Sequence, residues 1–274
     1  MARYQDLPNR EGGNAVCGCA VVPDLTMCQN NAMAFECNVV AGSLGKSRLD
    51  VYCTSCTFTV PNGVTSIFIE MWGAGGGGSG NGNCCCCSAG IPGGAGAYTA
   101  ATIPTAGGCQ YTICAGTGGN MGCGACSSGS QGNSSYVTGF NISTLCAGGG
   151  RGACNICNGG SMFCCGTNWC NDSSRGSVSG TTIANNAIIA CGEGGHVFGK
   201  AEGCRHEAVS GSAPMGGGAG VWTSYNHCCP CSNNSPASGG QFPGGGGGGA
   251  FAACCCGACN CGGCGAAGLV RIWY

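Results

Sequence analysis

The chain of 274 residues contains 59 glycines and 31 cysteines, and only 7% of its residues are charged. Nine Lys and Arg residues and a formal net charge of −1 cannot form the basic stripe that phosphate binding requires, which excludes nucleic acid as a partner. Because no apolar run approaches the roughly 20 residues of a spanning helix, we also expect no membrane insertion.

Residues 1–56 differ from the rest of the chain. They carry several charges, mixed apolar residues and modest glycine, and their six cysteines include Cys53 and Cys56. This composition indicates an irregular or extended segment that attaches the protein to a partner, because few residues are available for an independent core. The N-terminus shows no apolar signal region, which favours synthesis in the cytoplasm.

From residue 57 the pattern is typical of β-structure. Phe58 and Val60 precede a Pro-Asn-Gly turn, and an alternating strand follows with Ile67, Ile69 and Met71 on one face. A second hairpin is predicted from residues 98–103 and 109–114. Further short strands are predicted at Ser134–Phe140, Thr181–Cys191 and Leu269–Tyr274. No segment shows sustained helical periodicity, so the predicted fold class is all-β.

Five glycine-rich stretches separate these strands: residues 73–96, 116–133, 148–180, 192–220 and 239–268. They lack the Gly-x-y repeat of collagen, and they are unusually long for loops in a compact domain. They are either disordered or extended polyproline-II segments packed side by side. The second interpretation is physically sensible, because glycine lets neighbouring backbones approach closely.

Residues 57–274 contain an ordered series of short motifs that resembles a known protein family. The series opens with Phe58-Thr-Val-Pro61, Val64-Thr-Ser-Ile67 and Trp72-Gly-Ala-Gly-Gly-Gly-Gly78. It continues through Gly94-Ala-Gly-Ala-Tyr98 and closes with Gly268-Leu-Val-Arg-Ile-Trp-Tyr274. Residues 57–274 are similar to the glycine-rich domain of bacteriophage tail-fibre and adhesin proteins. The resemblance implies a small β-sandwich base with glycine-rich excursions at an exposed end of a particle appendage, where such domains commonly contact the host surface.

The cysteines are not part of that family's usual pattern. Disulfides are the interpretation that we favour, but the sequence also leaves free thiols and a metal or iron–sulfur centre open, and it does not determine the pairing. The total is odd, so at least one cysteine is free or pairs between chains. The candidates for cross-linking are Cys53, Cys56, Cys109, Cys114, Cys123, Cys126, Cys154, Cys157, Cys256, Cys259, Cys261 and Cys264.

The remaining chemistry-bearing residues do not form a catalytic pattern. The three histidines, His196, His206 and His227, are better interpreted as structural, and no pair of carboxylates suggests acid–base catalysis. Four aromatic residues in or next to the glycine-rich stretches are candidates for receptor contact, although they are also suited to filling gaps in a glycine-rich interior. They are Trp169, Trp222, Tyr225 and Phe242.

These features together predict a non-enzymatic structural or adhesive virion protein without metal or cofactor. We expect a homo-oligomer that is attached to other virion proteins through residues 1–56 and that contacts a host-surface receptor. One alternative is a cement or decoration protein, or another tail structural protein, that binds no receptor. Another is a cysteine-rich metal-binding protein, although the 19 aromatic residues (Phe 8, Trp 4, Tyr 7) weigh against metal storage.

Overall fold

The computed structural model describes residues 33–36, 48–80, 88–124, 127–153, 176–179, 187–200, 205–224, 237–252 and 261–274. Within these ranges the secondary structure consists of strands and the class is all-β, as predicted from the sequence. In chain order the strands are β1 (Met33–Glu36), β2 (Arg48–Tyr52), β3 (Cys56–Thr59), β4 (Ser66–Trp72), β5 (Ser88–Ala89), β6 (Tyr98–Pro104), β7 (Gln110–Cys114), β8 (Ser135–Gly139), β9 (Ile142–Ala147), β10 (Gly176–Ser179), β11 (Ile188–Ala190), β12 (His196–Lys200), β13 (Arg205–Val209), β14 (Val221–Ser224), β15 (Phe251–Ala252) and β16 (Leu269–Trp273).

Two antiparallel sheets form the sandwich. One has the strand order β1-β2-β16-β4-β6-β11, and the other has the order β10-β9-β8-β7-β3. Strand β16, at the end of the chain, lies between β2 and β4, with Ile272 opposite both Asp50 and Ile69. The sheet therefore includes strands from both sides of the boundary predicted after residue 56.

The sandwich core follows from the alternation along its strands. Side chains on β4 are buried at every second position, as expected when one face of a strand packs against the opposite sheet. The core residues that the two sheets contribute are Tyr52, Phe58, Val60, Ile67, Ile69, Met71, Ala101, Ile103, Tyr111, Ile113, Val137, Ile142, Leu145, Ala147, Val270, Ile272 and Tyr274. Each large apolar side chain buried in this way contributes about 1.5–3 kcal/mol to folding.

A central segment, residues 73–80, leaves the sandwich after β4. Its N–H groups donate to three neighbours in a three-residue repeat. The N–H groups of residues 73, 76 and 79 bond to the carbonyls of residues 97, 94 and 91, and those of residues 74, 77 and 80 bond to the carbonyls of residues 133, 130 and 127. The N–H groups of residues 75 and 78 bond to the carbonyls of residues 266 and 263. The chain thus presents three successive faces to three antiparallel neighbours. A repeat of three residues per turn without internal hydrogen bonds is the geometry of polyproline II.

The carbonyl groups of the central segment face three further neighbours. The carbonyls of residues 74 and 77 accept from the N–H groups of residues 150 and 153. The carbonyls of residues 75 and 78 accept from the N–H groups of residues 119 and 122, and the carbonyls of residues 76 and 79 accept from those of residues 247 and 250. Six ring segments therefore surround the central one: 91–97, 148–153, 127–133, 116–122, 262–268 and 244–250. Hydrogen bonds also join consecutive members of this ring, and 244–250 bonds to residues 90, 93 and 96, which closes it. We call these seven segments the glycine bundle.

Glycine is required in the bundle because the backbones are in direct contact. A Cβ atom added to Gly77 would lie less than 3.0 Å from the carbonyl oxygen of Asn120, and one added to Gly76 would meet the carbonyl of Arg151 at a similarly forbidden distance. Four of the five glycine-rich stretches therefore contribute stacked extended segments to the bundle over their described residues, whereas stretch 192–220 forms strands β12 and β13. Of the two interpretations left open by the sequence, packing side by side is the one observed there.

The predicted strands are observed where the structure describes them, but several observed strands were not predicted, among them β1, β2, β9 and β10. Of the strand predicted at 181–191, residues 188–190 are in β11, whereas 181–186 lie outside the described part of the chain. Strand β2 was not predicted, because its inward position 50 is an aspartate rather than an apolar residue. The sheet β12-β13-β14 lies within stretch 192–220 and the residues that follow it, where the high glycine content concealed the strand pattern.

Candidate functional site: the distal end of the glycine bundle

The bundle separates the molecule into two ends. The central segment starts beside the sandwich at Trp72 and extends for about 25 Å, at about 3.1 Å per residue. We call the far end, around Gly80, the distal end. The N–H of Gly80 bonds there to the carbonyl of Ser127, and β5 pairs with β15 just beyond residue 250.

A disulfide joins two segments of the ring at the distal end. Cys123 follows segment 116–122 and Cys261 precedes segment 262–268; the two residues are 138 positions apart in sequence, and their Cα atoms are 4.1 Å apart. The N–H of Gly262 bonds to the carbonyl of Gly122 at 2.9 Å, next to the cross-link. The hydroxyl oxygen of Ser127 accepts from the N–H of Cys123 at 3.0 Å and shapes the turn.

The other cysteine candidates occupy varied positions. Cys56, Cys109, Cys114 and Cys264 are free thiols, as are Cys146 and Cys191, which were not among the candidates. Cys53 is half-buried and packs against the cluster around Trp72. Disulfide cross-linking is therefore shown for one pair in the described part of the chain, and Cys261 pairs with the distant Cys123 rather than with its neighbour Cys264. Five candidates lie outside the described residues: Cys126, Cys154, Cys157, Cys256 and Cys259.

A three-stranded antiparallel sheet, β12-β13-β14, lies next to the bundle. The N–H of Ser210, at the end of β13, bonds to the carbonyl of Gly220, and the N–H of Gly220 bonds to the carbonyl of Gly246 in the ring. The register places Trp222 beside Ala208. This sheet carries His196 and His206, and one of the four aromatic residues predicted to contact a receptor.

Phe242 lies at the opposite end of the bundle. It is half-buried against the cluster formed by Trp72, Tyr98, Ala213 and other residues at the junction with the sandwich. Its position matches the gap-filling interpretation. Trp169, Tyr225 and His227 lie outside the described residues.

The junction itself depends on a residue that sequence reasoning did not single out. The indole N–H of Trp72 donates to the carbonyl of Pro214 at 2.8 Å, and the guanidinium of Arg271 lies 5.1 Å from the centre of the indole ring. Glu70 accepts from the hydroxyl of Tyr98 and from the indole N–H of Trp273. Burial, followed by the nearby Glu70 charge, raises the pKa of Tyr98. These contacts brace the outer face of the six-stranded sheet and hold the segment around Pro214 against it.

Asp50 is a buried carboxyl inside the sandwich. The hydroxyls of Tyr52 and Tyr274 each donate to it at 3.2 Å. Burial raises its pKa above the ordinary value of 3.8, against the lowering effect of these two hydrogen bonds and of the Arg48 charge. The position of Asp50, between β1 and β16, makes it a structural group of the sheet. The only sign of it in the sequence is a charged residue within the short alternating run of β2.

The described ranges contain neither a cluster suited to metal binding nor a membrane-spanning helix. Within them, no group of three or more His, Cys, Asp or Glu residues is placed to hold a metal ion. Nor does that part of the chain contain a helix long and apolar enough to cross a membrane.

Comparison with known protein families identifies a match over most of the chain. The model of a family described as a glycine-rich domain matches residues 52–274. No curated protein matches the chain. The matched region includes the sandwich from the end of β2 onward, the glycine bundle and the distal end.

Proposed function

The chain belongs to the glycine-rich domain family, and from this premise we propose that it is a structural and adhesive protein of a bacteriophage particle. In this role it is the tip of a tail fibre or of a related appendage that contacts the host surface. The phage assignment comes from the ordered motifs that resemble tail-fibre and adhesin domains, from Phe58-Thr-Val-Pro61 to the closing strand.

The observation that carries the proposal is the separation of the two ends. The sandwich, with β1 and β2 from the N-terminal part, lies at one end, and the distal end lies about 25 Å away across the bundle. A rigid spacer of this kind suits a protein that is anchored to the particle at the sandwich and meets the host at its distal end. Residues 1–56 provide the attachment, and the particle carries the protein as a homo-oligomer.

The physical character of the bundle supports a mechanical role. The backbone groups of the central segment are paired with six neighbours, so the bundle is held by hydrogen bonds and close packing rather than by charges. Because such an array is held by backbone hydrogen bonds, we expect its stability to depend little on salt concentration. In the sandwich, Asp50 and Glu70 accept structural hydrogen bonds from tyrosine hydroxyls.

Competition for host cells tests the adhesive role. Purified full-length protein is expected to reduce adsorption of the phage particles in proportion to its concentration. The Gly94→Ala variant, whose added methyl group meets only ordinary contacts, should compete equally well. Mass spectrometry of purified particles provides the second measurement. Particles without this chain would contradict the proposal.

A cement or decoration protein is the second candidate. It is favoured by the closed hydrogen-bonded ring and by the Cys123–Cys261 cross-link, because both provide durability without a receptor. Presence of the chain in particles, together with no effect of the purified protein on adsorption, would select this candidate over the adhesin.

A further inference from the structure

The two cysteines of the distal disulfide are brought into register by backbone hydrogen bonds alone. Segment 262–268 runs antiparallel to segment 116–122. The N–H groups of Gly262, Gly265 and Gly268 bond to the carbonyls of residues 122, 119 and 116 at 2.8–2.9 Å. Extending this register by one residue places position 261 beside position 123. The hydrogen-bond register of the bundle is therefore sufficient to specify which two cysteines meet.

The same register explains why one cysteine of this segment is oxidised and the next is not. In polyproline II the same face recurs every three residues, so Cys261 and Cys264 share a face. The residue opposite position 264 is Asn120, which has no thiol. Cys264 is correspondingly a free, exposed thiol, whereas Cys261 is bonded to Cys123.

The pair is open to a reagent from solution. Cys123 is exposed and Cys261 is half-buried, and both lie at the distal end rather than in the sandwich core. A small disulfide can therefore reach the sulfur of Cys123 in the folded protein. Access of this kind is a requirement for thiol–disulfide exchange.

We propose that Cys123 and Cys261 form an oxidation site that matures after folding: the chain folds with both thiols reduced, and a small disulfide then cross-links the finished distal end. The Cys123 thiolate attacks oxidised glutathione, forms a mixed disulfide and releases one glutathione thiolate. The Cys261 thiolate then attacks the Cys123 sulfur and releases the second glutathione. Two cysteine thiols are oxidised, one glutathione disulfide is reduced to two thiols, and the two cysteine protons pass to the glutathione thiolates.

As a consequence, the distal end becomes covalently cross-linked and more stable to unfolding when the protein leaves a reducing compartment. The timing rests on the proposed function, since a particle assembled in cytoplasm meets an oxidising environment on release. The chemistry of the pair does not rest on it. Loop closure across 138 residues is expected to raise the midpoint of thermal unfolding by roughly 10 °C.

The test uses the full-length protein purified under a reducing agent. The reduced protein is expected to show the circular dichroism and the protease resistance of the oxidised one. After addition of oxidised glutathione, peptide mass spectrometry should find residues 123 and 261 linked, together with the rise in melting temperature. A reduced chain that is unfolded until it is oxidised would overturn the proposal, and so would oxidation that leaves the pair unlinked.

Single-site variants assign the effect to this bond. Cys123→Ser and Cys261→Ser should each fold. On addition of oxidised glutathione, neither should show the rise in melting temperature of roughly 10 °C that this bond gives the wild type. Cys264→Ser, three residues away on the same face, should behave as the wild type. Equal rises in the wild type and in Cys123→Ser would contradict the proposal. Host adsorption is measured separately, so failure of the adhesive role does not affect this result.

Discussion

The glycine bundle predicts a sharp difference between two Gly→Ala substitutions. Gly77, in the central segment, donates to Ser130 and accepts from Ala153, each at 2.9 Å. An added methyl group there would lie less than 3.0 Å from the carbonyl oxygen of Asn120, which is backbone and cannot rotate away. Gly94, in the ring, also makes two backbone hydrogen bonds, but its added methyl group would be 3.4 Å from the nearest atom.

The expected size of the difference follows from these contacts. Forcing the segment that carries Asn120 away from Gly77 costs about 1–3 kcal/mol, in line with overpacking of a dense interior. Weakening the two hydrogen bonds of Gly77 adds about 1 kcal/mol each. Replacing glycine by alanine also lowers the conformational entropy of the unfolded chain, which stabilises the folded state by about 0.4–1 kcal/mol. This is the main effect expected at Gly94. Gly77→Ala should therefore destabilise by about 3 kcal/mol, whereas Gly94→Ala should be neutral or slightly stabilising.

Urea unfolding followed by circular dichroism measures both variants under the same conditions. With a slope of about 3 kcal/mol per molar urea, the midpoint of Gly77→Ala should fall by roughly 1 M. The midpoint of Gly94→Ala should stay at or just above that of the wild type. If the two variants unfold within about 0.5 kcal/mol of each other, the close backbone contacts around the central segment do not explain the glycines.

Three further substitutions test other parts of the molecule. The native-state pKa of Asp50 is raised, so wild-type stability should fall as the pH rises from about 3.8 through that pKa; Asp50→Asn should remove this fall in urea titrations across pH. Trp72→Phe removes the donor to the Pro214 carbonyl and should cost about 2 kcal/mol in the same assay, and no loss would refute this role. Asn120→Cys should form a second disulfide with Cys264, detected as a linked peptide; pairing elsewhere would contradict the register.

The sandwich strands could largely be predicted because their signal is local. Ile67, Ile69 and Met71 alternate over one strand, and the Asn62-Gly63 turn precedes them. The position of β16 between β2 and β4 carries no comparable local signal, because it depends on partners about 200 residues earlier in the chain. The inward Asp50 hid β2, since only the tertiary structure supplies the two tyrosine hydroxyls that make its burial acceptable.

The candidate site was less accessible to sequence reasoning. Cys123 and Cys261 were both candidates for cross-linking, but the sequence does not determine which cysteines pair. The aromatic candidates were chosen for their residue type alone, and the structure places Phe242 at the junction and Trp222 in the separate sheet of β12-β13-β14. The type of a side chain does not predict whether the residue lies at the distal end or at the junction with the sandwich.

By itself, the sequence determined the all-β class, most sandwich strands and the glycine-rich stretches whose backbones can approach closely. It did so because strand alternation and the absence of Cβ atoms are properties of individual residues. The tertiary structure decided that six segments close around 73–80 and that Cys123 meets Cys261. The physical reason is that backbone N–H and carbonyl groups, which are the same in every glycine, hold the bundle together. Their partners are therefore selected by the assembled geometry and not by side-chain identity.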